Sequence, residues 1–367
     1  MKILINLIGG QPAPVYIGIR SLNPDLVIQI YSIESKFQLD RIKNTLANFN
    51  YEEVQVHPYD YDSCRKIIKS ILSEYDNDEV IVNLTSGTKI MSLAAFNAAE
   101  GSGKDVIYID SQNHSLIKIK GNDIVENFKI NLIFSVKDYF LIYGYPIEIK
   151  PLRLEDNETF RNIRNIMLKH YSQIKNLISE ANKQISNKKT LVECKDNSGQ
   201  NFLRYNFKKT KGILNISQGR QKINFEIKSQ IEFDYITGLW FEDYIFLMFK
   251  DLKIFDDIQQ NVKIYTLREN LKPEYLNEFD ICAIKDQTLY IFECKTGNID
   301  KNIVEKLRLI KSLTGTYSNI NLITLFRPLE TTALERIRDF KIGLITFNDI
   351  DKFIESFKIK ENINPNL

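Results

Sequence analysis

Apolar runs and amphipathic stretches alternate regularly along the amino-terminal half of the chain. Ile3–Ile8, Val27–Tyr31, Glu53–His57, Val80–Leu84 and Asp105–Ile109 read as strands. Ser35–Asn48, Asp62–Glu74 and Lys89–Glu100 read as helices, the first with an apolar face of Phe37, Ile42, Leu46 and the following Phe49. Strands alternating with helices of about 10–14 residues predict a parallel, doubly wound sheet of Rossmann type. Such sheets take ligands at the carboxyl ends of their strands.

The pattern changes further on. Phe160–Ser186 reads as a long helix with a broken apolar stripe, Ile163, Ile166, Met167, Ile174, Leu177, Ile178 and Ile185. It suits either a dimer axis or the start of a second domain. Short β-like runs follow at Phe202–Phe207, Gly212–Ile216 and Lys222–Ile227. Gly238–Phe249 reads as a buried helix. Glu242 lies three residues after Leu239 and four before Phe246, so it falls on the apolar stripe, whereas Asp243 turns toward solvent. Then come two extended apolar runs, Ile281–Ile284 and Leu289–Phe292, with Lys285–Thr288 as the turn. Lys301–Thr314, Ile320–Phe326, Leu329–Asp339 and Ile342–Phe347 read as helix, strand, helix and strand, which predicts a central sheet with helices on its faces.

Composition adds bounds. The 367 residues suffice for two domains, and 43% hydrophobic with 26% charged residues is ordinary for a soluble globular protein. A net charge of +2 rules out indiscriminate nucleic-acid binding, so any such contact must be local. The four cysteines, Cys64, Cys194, Cys282 and Cys294, show no metal or redox spacing and read as buried thiols of a cytoplasmic protein. His57, His114 and His170 are scattered, with no zinc pattern. No signal peptide or membrane span is evident.

The hairpin carries the sharpest chemistry. A tip between Asp286 and Gln287 pairs Ile281 with Phe292 and sets Asp280 opposite Glu293, with Cβ atoms about 4.5–5.5 Å apart. Two like charges that close call for a cation between them, and hard Mg²⁺ or Mn²⁺ prefers carboxylate oxygen. Lys295 shares the face of Glu293. Two carboxylates with a neighbouring ammonium suit phosphodiester hydrolysis, the lysine orienting water or stabilising developing negative charge. Glu242, an acid on the core face of a helix just upstream, fits as a further ligand or a base.

In the amino-terminal half, Gly9-Gly10-Gln11-Pro12 follows the first strand, Ser32 ends the second, and Thr85-Ser86-Gly87-Thr88-Lys89 joins the fourth to its helix. The last loop offers hydroxyls, a glycine, a helix amino terminus and a cation, which suits an anion. An ordinary Ser/Thr helix cap is the competing reading. Neither a P-loop nor a G-x-G-x-x-G is present. Lys208, Lys209, Lys211, Arg220, Lys222 and Lys228, interleaved with Tyr205, Phe207 and Phe225, suit either a nucleic-acid strand or a solvated hairpin face.

Two family resemblances emerge from these motifs. Glu242, Asp280 and Glu293-Cys294-Lys295 resemble the PD-(D/E)xK core of restriction-endonuclease-like enzymes, although Phe279 stands where the hallmark proline would precede Asp280. The segment Asn83–Met91, with Gly9–Pro12, resembles a CARF domain, the CRISPR-associated sensor of cyclic oligoadenylates. Together they resemble the ancillary nucleases of type III CRISPR defence that cyclic oligoadenylate activates. That resemblance implies an α/β protein with a Rossmann-like CARF domain at 1–140, a linker and helix at 141–190, and a restriction-endonuclease-like domain at 191–367. It implies a homodimer whose paired CARF domains bind one ring, most commonly cyclic tetra-adenylate, against Gly9, Gly10, Gln11, Pro12, Ser32 and Thr85–Lys89. It implies a metal-dependent endonuclease acting on single-stranded DNA and/or RNA, with Glu242, Asp280, Glu293 and the Cys294 carbonyl as metal ligands and Lys295 beside them. A ring-binding transcriptional regulator, or a scaffold with an inactive nuclease fold, are the alternatives.

Overall fold

The computed structural model describes residues 1–110, 113–121, 123–152, 154, 157–266, 272–297, 299, 301–315, 318–326 and 331–362. Its first part runs β1 (Lys2–Leu7), α1 (Ala13–Leu22), β2 (Leu26–Tyr31), α2 (Lys36–Thr45), β3 (Tyr51–Gln55), α3 (Tyr61–Glu74), β4 (Glu79–Asn83), α4 (Lys89–Gly101), β5 (Asp105–Asp110), β6 (Ser115–Lys120) and β7 (Asp123–Lys129). These strands form one sheet in the order β3-β2-β1-β4-β5-β6-β7. The first five are parallel, but β6 and β7 run antiparallel. The expected all-parallel sheet is therefore a mixed one, because the short β5–β6 and β6–β7 connections leave no room for a crossover helix. The segment Gly9-Gly10-Gln11-Pro12 after β1 leads straight into a helix: Pro12 caps α1, whose start tolerates a proline because its first N–H groups are free in any case.

Next come α5 (Val136–Ile142), β8 (Ile147–Ile149) and the 29-residue α6 (Glu158–Ser186). A four-stranded antiparallel sheet follows, β9 (Leu191–Lys195), β10 (Phe202–Asn206), β11 (Lys211–Gln218) and β12 (Gln221–Ile227). The apolar stripe of α6 packs into one core with the inner face of this sheet, so the helix is no bare linker. The aromatics that suited either a nucleic-acid strand or a solvated hairpin face belong to the same core. Tyr205 is fully buried and stacks on Phe233 with ring centroids 4.2 Å apart. Phe207 sits edge-on to Phe233, and Phe225 lies half-buried across from Leu214. Alternation places all three rings inward while the lysines point out.

The last part runs α7 (Gln230–Asp234), a π turn over Tyr235–Leu239, α8 (Trp240–Leu252), β13 (Asp257–Thr266), β14 (Glu274–Lys285), β15 (Thr288–Lys295), α9 (Lys301–Leu313), β16 (Ser318–Thr324), α10 (Thr331–Asp339), β17 (Gly343–Thr346) and α11 (Ile350–Asn362). The helix expected from Leu329 has its first two residues outside the described ones. The sheet order is β17-β16-β15-β14-β13-β8. The hairpin register is the expected one, Ile281 opposite Phe292 through to Lys285 opposite Thr288. Asp286 and Gln287 hold φ of 47° and 60°, the pair of positive values that a two-residue type I′ turn demands.

Helices α8 and α9 cover opposite faces of this sheet. Phe241, Ile245 and Phe249 of α8 pack with Ile281, Phe292 and Cys294. Val304, Leu307 and Ile310 of α9 pack with Cys282, Leu289 and Ile291. The second cluster continues without a break through Phe279, Tyr139, Phe140 and Phe134 to Tyr16 and Leu39 of the first sheet's helices. Among the described residues, no helix is long and apolar enough to cross a membrane.

Candidate functional site

The acids sit where the large sheet loosens. The β14–β15 ladder ends at the Ile281–Phe292 rung, so the next step places Asp280 opposite Glu293. On its other side the β13–β14 ladder skips Asn261, which holds φ 53° and bonds with Lys150 instead. Strand irregularities of this kind are over-represented next to active sites. Asp280 Oδ2 accepts the Cys294 amide at 2.8 Å, which fixes its carboxylate toward β15. Glu293 is buried, with its side chain only 4% exposed. Lys295 Nζ lies 2.9 Å from Glu293 Oε1 and 3.6 Å from Asp280 Oδ2.

Glu242 reaches this group from α8, on the opposite face. Among the described residues it has no hydrogen-bond or ion-pair partner. Burial, with Asp280 adding to it, pushes its carboxyl up to about 9. Burial likewise raises Asp280, against the pull of Lys295. Burial works against the Lys295 charge, yet Asp280 and Glu293 outweigh it and hold its pKa above the ordinary lysine value. An acidic cluster short of positive charge is what a divalent cation relieves. The donors fit Mg²⁺ or Mn²⁺ in kind: three carboxylates, and a backbone carbonyl at Cys294, whose thiol burial keeps protonated. Among the described residues, no three His, Cys, Asp or Glu side chains stand at metal-ligand spacing. The cations at the acids are Lys295 and a second lysine, Lys306 of α9, 3.1 Å from Glu293 Oε1 and unforeseen in the sequence.

Asp243 departs from expectation. It is 1% exposed rather than turned to solvent. Arg164 of α6 donates to its Oδ2 at 2.7 Å and to the Tyr235 hydroxyl at 2.9 Å, and Tyr235 also donates to Asp243. The π turn ends just before α8, which carries Glu242 half-buried and Asp243 fully buried.

In the first sheet, the loops after β1 and β4 touch. Gly9 N donates to Ser86 Oγ at 3.1 Å, and a Cβ at Gly9 would fall 2.6 Å from the Gly87 amide. A cavity of about 390 Å³ opens beside them, lined by Gly9, Gly10, Ser32, Gly87 and Thr88. Glu34, Phe37 and Tyr59, which sequence reasoning missed, line it too. Gln11, Pro12, Thr85, Ser86 and Lys89 are not in its wall. Two of these side chains brace the loops instead: Thr85 joins Asn83 to the Ile109 amide, and Ser86 Oγ donates to the Gln11 carbonyl at 3.4 Å. Thr88 does act as the helix cap, accepting from Met91 N at 3.2 Å, while its hydroxyl donates to the Pro58 carbonyl at 2.6 Å.

Residues 3–139 match the model of the Card1 CARF domain, and residues 230–361 that of the Card1-like endonuclease domain. The chain belongs to the CARF–endonuclease family. Its Rossmann-like half is a CARF domain, and its second large sheet is the core of the endonuclease domain. No curated protein matches the sequence. Among solved structures, Can2 from Sulfobacillus thermosulfidooxidans in complex with cyclic tetra-adenylate superposes with a TM-score of 0.75 at 19% identity, covering 98% of this chain and 99% of that one. The protein VC1899 from Vibrio cholerae also gives 0.75, at 16% identity over 97% and 98% of the two chains. A type III CRISPR defence DNA nuclease activated by cyclic oligoadenylate gives 0.59 at 14% identity, over 95% of this chain and 51% of that one. These likenesses show a shared fold. Phe37, expected on the apolar face of its helix, is instead 52% exposed, and the exposed Tyr59 carried no legible signal, because a surface aromatic in a loop has many uses.

Proposed function

We propose that this CARF–endonuclease protein is a metal-dependent nuclease of type III CRISPR defence, activated when a cyclic oligoadenylate binds its CARF domain. The observation that carries the reading is the meeting of Asp280, Glu293 and Lys295 at the loosened end of the large sheet, with the unpaired Glu242 on the helix beside them. Glu242, Asp280, Glu293 and the Cys294 carbonyl would hold Mg²⁺ or Mn²⁺. Bound there, the cation supplies Lewis acidity toward the scissile phosphate. Lys295, anchored by two acids, orients the attacking water or offsets charge developing on the phosphate.

On the sensor side, the cavity against Gly9, Gly10, Ser32, Gly87 and Thr88 takes the ring, with cyclic tetra-adenylate, the ligand of Can2, as the first candidate. Glycines there let phosphate oxygens approach the backbone. Two CARF domains in a cytoplasmic homodimer would share one ring on the twofold axis. The nucleic acid cut is DNA, RNA or both, in single-stranded form. Ring binding acts by favouring a closed, active arrangement over an open one.

The test is to incubate the protein with Mn²⁺, labelled DNA or RNA, and each cyclic oligoadenylate in turn. Cleavage should need both ring and metal. Glu293→Ala and Lys295→Ala should each remove most of it while ring binding stays intact. Undiminished cutting by both variants would refute the assignment. Light scattering should give a dimer with and without ring; a ligand-free monomer whose activity tracks dimer concentration would replace closure by ring-driven dimerisation.

A further inference from the structure

Glu293 carries two lysines at once. Lys295 Nζ stands 2.9 Å from Oε1, and Lys306 Nζ stands 3.1 and 3.3 Å from the two oxygens. One buried carboxylate cannot keep two ammonium groups and also serve a divalent cation, because three positive centres around one anion repel at close range. One lysine must leave when the cation binds. Lys295 is held by two acids from two strands, with its side chain 30% exposed. Among the described residues Lys306 is ion-paired with Glu293 alone, and it is 41% exposed, so its release costs less and its long stem can swing outward.

The helix fixes where Lys306 can go. Val304, Leu307 and Ile310 anchor α9 to the sheet, so the backbone of residue 306 stays beside the acids whatever its side chain does. Lys306, 41% exposed, reaches solvent from beside the buried Glu293, and a polyanion approaches from solvent. An ammonium there is a compact charge suited to a phosphate oxygen.

We infer that Lys306 is a substrate-binding residue: it occupies Glu293 in the metal-free protein and moves to a phosphate of the nucleic-acid strand when the cation takes that carboxylate. The inference rests on the nuclease reading above. It makes metal and substrate mutually supportive, since the cation frees the lysine that grips the strand and the strand keeps the lysine off the cation's ligand.

Lys306→Met and Lys306→Arg test it, in the full chain with saturating ring. Titration of Mn²⁺ alone by calorimetry should show the cation bound several-fold more tightly by Lys306→Met, whose Glu293 has lost a competitor. Anisotropy of a labelled oligonucleotide, with Ca²⁺ in place of Mn²⁺, should show binding weakened about tenfold in Lys306→Met. The slope of log affinity against log salt should fall by about one for that variant and be kept by Lys306→Arg. Unchanged Mn²⁺ affinity together with an unchanged salt slope would make Lys306 a surface partner of Glu293 and overturn the inference. Weaker Mn²⁺ binding by Lys306→Met would also overturn it, by showing that the lysine supports Glu293 as a ligand. Wild-type protein that binds neither Mn²⁺ nor the oligonucleotide would refute the nuclease reading itself, and the inference with it.

Discussion

Tyr143 donates its hydroxyl to the Gln11 side-chain oxygen at 3.1 Å, and its ring stands where a Cβ at Gly315 would have to be, 2.5 Å away. One side chain thus touches the loop beside the CARF cavity and Gly315, just past α9. Tyr139, one helical turn earlier, donates to the Thr314 carbonyl at 2.7 Å and stacks on Tyr143 with centroids 4.9 Å apart. Contacts of this kind can pass a shift of the sensing loop to the helix that carries Lys306.

Tyr143→Phe removes the hydrogen bond and keeps the ring. Ring affinity should stay within about threefold, as for the loss of one neutral hydrogen bond at a site that does not line the cavity. Ring-stimulated cleavage should fall by more than that. Calorimetry beside a nuclease assay separates the two, and an equal loss in both would place Tyr143 in binding rather than coupling.

The cavity predicts an asymmetry between its glycines. A Cβ at Gly10 meets nothing within 4 Å, whereas at Gly87 it would lie 2.9 Å from Leu7 Cβ on a backbone with φ of 79°. Gly10→Val should therefore leave the melting temperature nearly unchanged and still block the ring, because the new methyls occupy the cavity. Gly87→Val should lower both stability and ring binding. Wild-type ring affinity in Gly10→Val would exclude that wall of the cavity.

Glu242 predicts a pH effect on stability. Its pKa is raised from 4.5 to about 9 by burial and by Asp280. A carboxyl that binds its proton more tightly when folded stabilises the fold fully below its unfolded pKa. That contribution is lost as pH rises from about 4.5 through about 9. Without metal, Glu242→Gln should melt higher than wild type at pH 8 to 9 and about equally at pH 4. Added Mn²⁺ should stabilise wild type more than the variant. A melting temperature in Glu242→Gln that lies below wild type throughout would contradict the buried, unpaired acid.

The Arg164–Asp243 pair predicts a cost out of proportion to one contact. Both side chains are nearly buried, at 9% and 2% exposure, and Tyr235 completes their hydrogen bonding. Arg164→Ala leaves a charge alone in the core and should destabilise by about 3–5 kcal/mol. Arg164→Met with Asp243→Leu should recover much of this, measured by denaturant unfolding. A single-variant loss below about 1 kcal/mol would show the pair to be solvated.

How far the sequence foretold these features depended on distance along the chain. The hairpin was legible because its partners lie within a dozen residues, and one turn between Asp286 and Gln287 sets every rung. Asp243 was not, because its partner Arg164 lies 79 positions away and nothing local marks the pairing. Lys306 was hidden for a related reason: a lysine between Glu305 and Leu307 on an amphipathic helix looks like any solvated one until the fold sets it on Glu293. Strand β7 escaped notice because all seven residues are exposed and carry no alternation to read. In the CARF loops the hydroxyls of Thr85 and Ser86 announced a ligand, yet the structure uses them as braces, and it is the glycines and Thr88 that face the cavity.

The apolar cluster that runs from Tyr16 through Phe140 and Phe279 to Leu307 has a consequence for inheritance as well as for folding. Phe140 stacks on Phe279 at 5.6 Å with their planes 13° apart, in an apolar core that both halves share. Cutting there would leave each fragment with a bare apolar face, so neither half should survive long on its own. Heating should melt sensor and nuclease in one step, and a ring that protects the first should protect the second from protease equally. A recombinant that borrowed another protein's sensor would have to import a matching α5, which makes the two halves one unit of exchange.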